Sequence, residues 1–392
     1  MPTLRPAGHC PNTVRRCGTC SSLVGMSLRV VEWSTGTVGK HAIAGIDAHP
    51  DLELVGVWVS DPAKVGRDAG ELAGLGRELG VVATSDVDEL LALAPDCIVH
   101  TAMTDDRVVE SINDLTRFLD AGINVVSSGP VVLQFPHGIL PASMVEQVEA
   151  AAARGGATLH VNGIDPGFAN DVLPLSMTSL AQRIDEVRCM EIADYSTYYQ
   201  PVVMRDLFGF GQPMDSTPLL LTPGVLSMAW GSVVRQLAAG LGITLDEPLV
   251  ERVERVAADR DYSTVSVEIP QGTMAALRFE VAGQVDGTDR IVLEHVTRTH
   301  PDQCPEWPKP AEGDGSYRIV VSGEPQMQVE FTHHGENGDH NVSGMIVTAM
   351  RLVNAVPAVV AASAGLATAL DLPLVTGRGL VAGQPKAVTV GA

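Results

Sequence analysis

Positive charge is scarce in this chain: 26 Lys and Arg stand against 47 Asp and Glu, for a formal net charge of −21. Such a surface repels polyanions, which argues against a nucleic-acid partner. An unbroken apolar run of the roughly 20 residues that a membrane helix needs is also missing. Residues 352–370 carry no charge, but Pro357, Ser363 and Gly365 interrupt them, and Arg351 and Asp371 bound them. They read as a buried or interface helix, and no membrane partner is expected. The first 25 residues hold Arg5, Arg15 and Arg16 but no acid and no apolar core, so they are not a secretory leader. Residues 1–25 are expected to be a disordered extension, or to follow an upstream start codon, with Met26 directly before the first strand. No second C-x-x-C follows Cys17-Gly-Thr-Cys20, so those cysteines with His9 and Cys10 lack a complete zinc pattern. No metal is predicted. Cys97, Cys189 and Cys304 lie far apart, a usage that suits a reducing, cytoplasmic location.

What is present is a long, globular composition. A chain of 392 residues exceeds one ordinary core and predicts two domains. Its most informative stretch is residues 28–39. An apolar run from Leu28 to Trp33 breaks at Ser34-Thr35-Gly36 and restarts after Gly39, with Ala42, Ile43 and Ile46 on one helical side. A strand, tight turn and helix in that order aim free backbone N–H groups at one point, which suits a pyrophosphate. Ser34, Thr35, Gly36, Thr37, Val38 and Gly39 are therefore the predicted phosphate turn. The pattern is Ser-x-Gly-x-x-Gly, with Ser34 where a first glycine is usual.

Strand and helix signals then alternate to Val161, giving six strands with helical crossovers. After Pro166-Gly167-Phe168 the pattern turns to short alternating strands: 186–193, 264–269, 274–282, 290–297, 317–322 and 328–332. One helical insertion, 224–239, interrupts them. The predicted fold is an α/β Rossmann domain, a doubly wound parallel sheet, plus an α+β domain with a mostly antiparallel sheet. The expected division is 26–168 for the dinucleotide, 169–340 for substrate and dimerisation, and 341–392 as a helical segment packing back on the first domain.

Ligands of open α/β sheets sit outside the carboxyl ends of the strands. That rule selects Ser60 and Lys64 beside the adenosine ribose. It puts Thr101, Ala102 and Met103 beside the nicotinamide ribose, with Ser127 in the next loop. Ser60 can bond a free 2′-hydroxyl or a 2′-phosphate, and Lys64 and Arg67 can meet a phosphate. The expected cofactor is NADP, with NAD tolerated.

Several ordered stretches carry a family likeness: Val31-Glu32-Trp33-Ser34-Thr35-Gly36-Thr37-Val38-Gly39, Asp61-Pro62-Ala63-Lys64-Val65-Gly66, Asp165-Pro166-Gly167-Phe168, Glu294-His295-Val296-Thr297-Arg298 and Thr348-Ala349-Met350-Arg351-Leu352-Val353-Asn354. From about residue 28 to 380 the chain resembles the 2,4-diaminopentanoate dehydrogenase and native amine dehydrogenase group, whose first domain is similar to dihydrodipicolinate reductase. The resemblance implies an NAD(P)-dependent oxidoreductase acting on a small amine or carbonyl substrate, by oxidative deamination or reductive amination. It also implies a homodimer built on the second domain's sheet, whose apolar face must be covered and has few helices of its own to cover it. The group's carboxylate after the fifth strand has no counterpart here, since residues 127–136 contain no Asp or Glu. Weak ammonia use is therefore expected, and a carbonyl reductase without ammonia or a non-catalytic dinucleotide binder are the alternatives. His295 and Asp165 are the predicted catalytic residues, with His295 as the proton-transfer group. Tyr195, Tyr198 and Tyr199, and Asp105 or Asp106, are the other candidates.

Overall fold

The computed structural model describes residues 27–104, 107–335 and 338–382. The N-terminal extension and its cysteines, and Asp105 and Asp106, lie outside these residues.

The first half folds as the alternation predicts. Strands β1 (Leu28–Trp33), β2 (Leu52–Trp58), β3 (Ala83–Thr84), β4 (Cys97–His100), β5 (Asn124–Ser127) and β6 (Thr158–Val161) pair in parallel. Helices α1 (Gly39–Ala48), α2 (Ala69–Leu72), α3 (Val87–Ala92), α4 (Val108–Asp120) and α5 (Ala142–Gly155) connect them. The central strands are buried on both sides, which explains their near-continuous apolar runs. On one face, Ile112, Leu115 and Leu119 of α4 and Val148 and Ala152 of α5 close the core.

The second half begins with α6 (Val172–Thr178), capped by Asp171, and the long strand β7 (Arg183–Asp194). Helices α7 (Val225–Ala229) and α8 (Gly231–Leu241) precede β8 (Val250–Ala257). A small hairpin, β9 (Tyr262–Ser263) with β10 (Glu268–Ile269), stands apart. Strands β11 (Met274–Val285), β12 (Thr288–Arg298), β13 (Gly315–Glu324) and β14 (Met327–Phe331) complete a six-stranded sheet of order β14-β13-β7-β12-β11-β8. Only β7 and β12 run parallel; every other pair is antiparallel. The mostly antiparallel expectation holds. The expected strand over 264–269 shrinks to the hairpin, and β8 is an edge strand whose interleaved Glu251, Arg252, Glu254 and Arg255 disguise it.

The chain then returns. Helix α9 (His340–Val360) lies along α1 and β5, where Ala349, Leu352, Val353 and Val356 fill the second face of the parallel sheet. Strand β15 (Gly365–Leu366) pairs with β6 and extends that sheet to seven strands. By length and composition α9 could cross a membrane, but its apolar side is spent on this packing.

One face of the six-stranded sheet is apolar and is covered by its own chain: Phe208, Phe210, Leu226, Val233, Val234 and Leu237 pack on Cys189, Leu277, Val281, Leu293 and Ile319. The need to cover that face therefore supplies no physical reason for a dimer. The opposite face carries an ion-pair lattice, in which Arg188 meets Glu280 at 2.6 Å and Glu294 at 2.5 Å, and Arg278 meets Glu294 at 2.8 Å.

Candidate active site

The predicted phosphate turn forms where β1 ends. Ser34 N–H donates to Trp58 O, and Lys40 N–H to Gly36 O, closing a loop between strand and helix. The backbone N–H groups of Thr37, Val38 and Gly39 have no acceptor among the described residues, so the turn presents unsatisfied donors at a helix N-terminus. A Cβ at Gly39 would overlap the Ser34 carbonyl oxygen and approach Thr101 Oγ1 to 2.8 Å, so no larger residue fits there. Gly36 is exposed and has open space above it, with only Ser34 Oγ near, at 3.7 Å from an added Cβ. A dinucleotide pyrophosphate fits this cradle. Ser34 itself holds φ 111°, the left-handed backbone for which glycine is usual.

Around this turn the predicted cofactor residues separate into two groups. Ser60 is exposed. Lys64 Nζ donates to Thr35 Oγ1 at 3.0 Å and to Thr35 O at 3.3 Å, which fixes a cation beside the turn. Asp61 caps its own short helix through Ala63 N–H, and Arg67 is tied to Glu71 at 2.8 Å. Met103 is exposed and Ala102 half-buried. Thr101 and Ser127 turn inward instead. Thr101 Oγ1 donates to buried Glu32, and Ser127 Oγ donates to Gly129 O beside His100 Nδ1 at 3.1 Å. Both hydroxyls are spent on the protein.

The second cluster is one rung across the six-stranded sheet. Phe331, Tyr317, Glu191, His295, Phe279 and Val253 stand opposite one another on β14, β13, β7, β12, β11 and β8. Strand pleating puts them on one face. His295 Nε2 donates to Glu191 Oε2 at 3.1 Å, and Tyr195 O–H donates to Glu191 Oε1 at 3.0 Å. His295 Nδ1 meets Thr297 Oγ1 at 2.6 Å. Both imidazole nitrogens are therefore engaged, and the ring is only 2% exposed. Phe279 stacks on it at 5.0 Å, and Trp230, Phe208 and Tyr195 surround it at 5.7–6.0 Å. A chain with four Trp, five Tyr and seven Phe concentrates them here.

Asp165 comes from the first domain, on the loop after β6, and reaches this cluster: its Oδ1 accepts from Trp230 Nε1 at 3.0 Å. It is half-buried. Burial, then the neighbouring Glu191 charge, pushes its carboxyl up to about 7, against weaker pulls from His295, Trp230 and Asn170. For Glu191 burial acts in the same upward direction, but the His295 charge and the bonds from His295 and Tyr195 outweigh it and hold Glu191 below its ordinary value. Burial alone would lower His295, and Glu191 more than reverses that, with Asp165 adding to it. Their pairing thus holds Glu191 low and His295 high, beside Asp165, whose carboxyl is pushed up to about 7.

Of the residues singled out in the sequence, Asp165, His295 and Tyr195 meet here. Tyr198 stacks on Tyr195 at 4.5 Å, whereas Tyr199 is exposed. Glu191 and Trp230 were not anticipated. The one available signal for Glu191 was a charged residue inside the apolar run Met190–Ile192, and Trp230 carried none. No group of three potential metal ligands occurs among the described residues.

Comparison with known proteins identifies relatives of both halves of the chain. Residues 168–386 match the model of the 2,4-diaminopentanoate dehydrogenase C-terminal domain, and residues 30–126 match that of the dihydrodipicolinate reductase N-terminus. An amine dehydrogenase from Streptomyces virginiae is 46% identical over 88% of this chain and 96% of its own length. The 2,4-diaminopentanoate dehydrogenase of Acetoanaerobium sticklandii is 23% identical over 69% of this chain and 72% of its own. Among solved structures, the amine dehydrogenase of Mycobacterium smegmatis shares the fold with a TM-score of 0.71, at 21% identity, over 89% of this chain and 97% of its own.

Proposed function

The chain belongs to the 2,4-diaminopentanoate dehydrogenase family, and from that premise we propose which residues hold the dinucleotide and which move the proton. It is an NAD(P)-dependent oxidoreductase that acts on the C–N bond of a small amine. When bound, the dinucleotide supplies hydride acceptance in oxidative deamination and hydride donation in the reverse direction.

The observation that carries the reading is that Asp165, on the loop after β6, meets Glu191 and His295 of the six-stranded sheet in one aromatic cluster. Environments that push two titratable groups apart assign an acid–base role to one and an electrostatic role to the other. Asp165, poised near 7 and half-buried, takes the substrate proton in deamination and returns it in amination. Glu191 stays ionised, locked by His295 and Tyr195, and fixes the sign of the field at the cleft floor. His295, with both nitrogens engaged, positions Glu191 and does not itself touch substrate. Trp230 and Phe279 pack edge to face at 4.8 Å and keep water from the carboxyl pair. On this reading the loop 127–136 needs no carboxylate, because the opposing domain brings Glu191 and the next loop brings Asp165. Ammonia use follows, against the weaker use expected from the loop alone.

The Ser34–Gly39 turn is proposed to hold the pyrophosphate, and Lys64 with Ser60 to favour NADP while tolerating NAD. Free, buried Cys97, Cys189 and Cys304 suit a cytoplasmic enzyme. A homodimer, which the family likeness supports, completes the proposal. Light scattering tests the dimer. Reduction of NADP+ and NAD+ by a panel of primary amines tests the activity: turnover with amines supports the reading. Carbonyl reduction that is indifferent to ammonia, with no amine oxidation, overturns it.

A further inference from the structure

One side chain crosses from the second domain to the phosphate turn. Gln200 Nε2 donates to Thr37 Oγ1 at 2.6 Å, over a sequence separation of 163 residues. Its loop is held in place for this. Gln200 N–H donates to Ser266 Oγ at 3.0 Å, and Ser266 O–H donates to Tyr198 O at 2.6 Å. Val265 N–H reaches Ser196 O, so the hairpin β9–β10 and the loop 196–200 are fastened at two points. The same loop carries Tyr195 and Tyr198, which wall the catalytic cluster.

From this geometry we propose that Gln200 is a cofactor-binding residue: a clamp that the substrate domain lays on the dinucleotide pyrophosphate. The proposal rests on the assignment of the Ser34–Gly39 turn to the pyrophosphate. The amide nitrogen carries two protons. One is given to Thr37 Oγ1, and the other is free for a phosphate oxygen. Because Thr37 Oγ1 accepts from Gln200, its own proton is turned outward, toward the position above the unsatisfied N–H groups of Thr37, Val38 and Gly39. A donor chain of this kind strengthens its last member. Gln200 is neutral, so it completes the anion site without selecting the 2′-phosphate.

The test is cofactor affinity and release in the full-length protein, read without turnover. Fluorescence titration with NADH and NADPH gives Kd, and stopped-flow displacement gives the off-rate. Gln200→Met preserves length and removes the donors; Gln200→Glu keeps the shape and adds a charge that repels phosphate. The proposal expects Gln200→Met to weaken both cofactors alike by roughly tenfold, the scale of one lost hydrogen bond to a charged group, mostly through a faster off-rate. Gln200→Glu should weaken both further. The melting temperature of the cofactor-free protein should not change. Unchanged Kd and off-rate in both variants would overturn the clamp. So would a loss confined to NADPH, or a fall in cofactor-free melting temperature that accounts for the loss. A wild-type protein that binds neither cofactor, or a Gly36→Asp variant that binds both normally, would instead refute the phosphate turn on which the clamp depends.

Discussion

His295 and Glu191 face each other across the parallel pair β7–β12, with Nε2 and Oε2 3.1 Å apart and both side chains shielded from water. Their mutual attraction gains strength from low local dielectric, and the bonds from Thr297 and Tyr195 leave neither partner an unmet polar atom of consequence. This pair decides how the neighbouring Asp165 behaves, since Glu191 raises it and His295 lowers it.

Breaking the pair should therefore act through Asp165 as well as on stability. Glu191→Gln removes the negative charge that raises Asp165 and holds His295 protonated. The kinetic inflection assigned to Asp165 should move to lower pH, and kcat should fall by about 10² or more, the usual cost of disturbing acid–base catalysis. His295→Ala should lower kcat on a similar scale while leaving NADPH affinity unchanged. A His295→Ala enzyme with full kcat would reduce the histidine to packing.

Gly39 offers a steric prediction. A methyl group there meets the Ser34 carbonyl oxygen and Thr101 Oγ1, so the turn must open. Gly39→Ala should abolish measurable cofactor binding and cost about 1–3 kcal/mol of stability, as overpacking does. Denaturant titration with and without cofactor reads both effects. Retained affinity would place the pyrophosphate elsewhere.

Lys64 is the cation fixed beside the turn. Lys64→Ala should weaken NADPH about tenfold and NADH little, the expected scale for one charge-assisted phosphate contact. Equal losses for the two cofactors would show that Lys64 does not read the 2′-phosphate.

Much of this was legible in the sequence. Alternating strand and helix signals located the parallel sheet, and Gly36 and Gly39 marked the tight turn between β1 and α1, because both are local properties of the backbone. Asp165 was singled out on the loop after the sixth strand, and there it meets Trp230. Residues 352–370 read as one buried or interface helix, yet α9 runs through Pro357 only to Val360, and Gly365, at φ 143°, turns the chain into β15. Glu191 was out of reach for a different reason. Its partner lies 104 positions away, and only the pairing of β7 with β12 brings the two together. The inward turn of Ser127 was hidden likewise, because it depends on His100 and Gly129. Side-chain roles set by non-local register do not show in spacing.

The central claim is that Asp165 carries the proton, and the pH dependence of amine oxidation tests it most directly. Its raised carboxyl has a defined sign. As a base it works only when ionised, so kcat/KM for amine oxidation should climb as pH rises through about 7 and then level, and reductive amination should fall over the same range. The linked stability contribution runs the other way. It is full below the ordinary carboxylate range and is lost as pH rises through about 7, so Asp165→Asn should flatten the stability profile there. The account predicts that Asp165→Asn loses kcat by about 10² or more together with the inflection near 7, while NADPH still binds. An Asp165→Asn enzyme that keeps both its turnover and the wild-type inflection would contradict it.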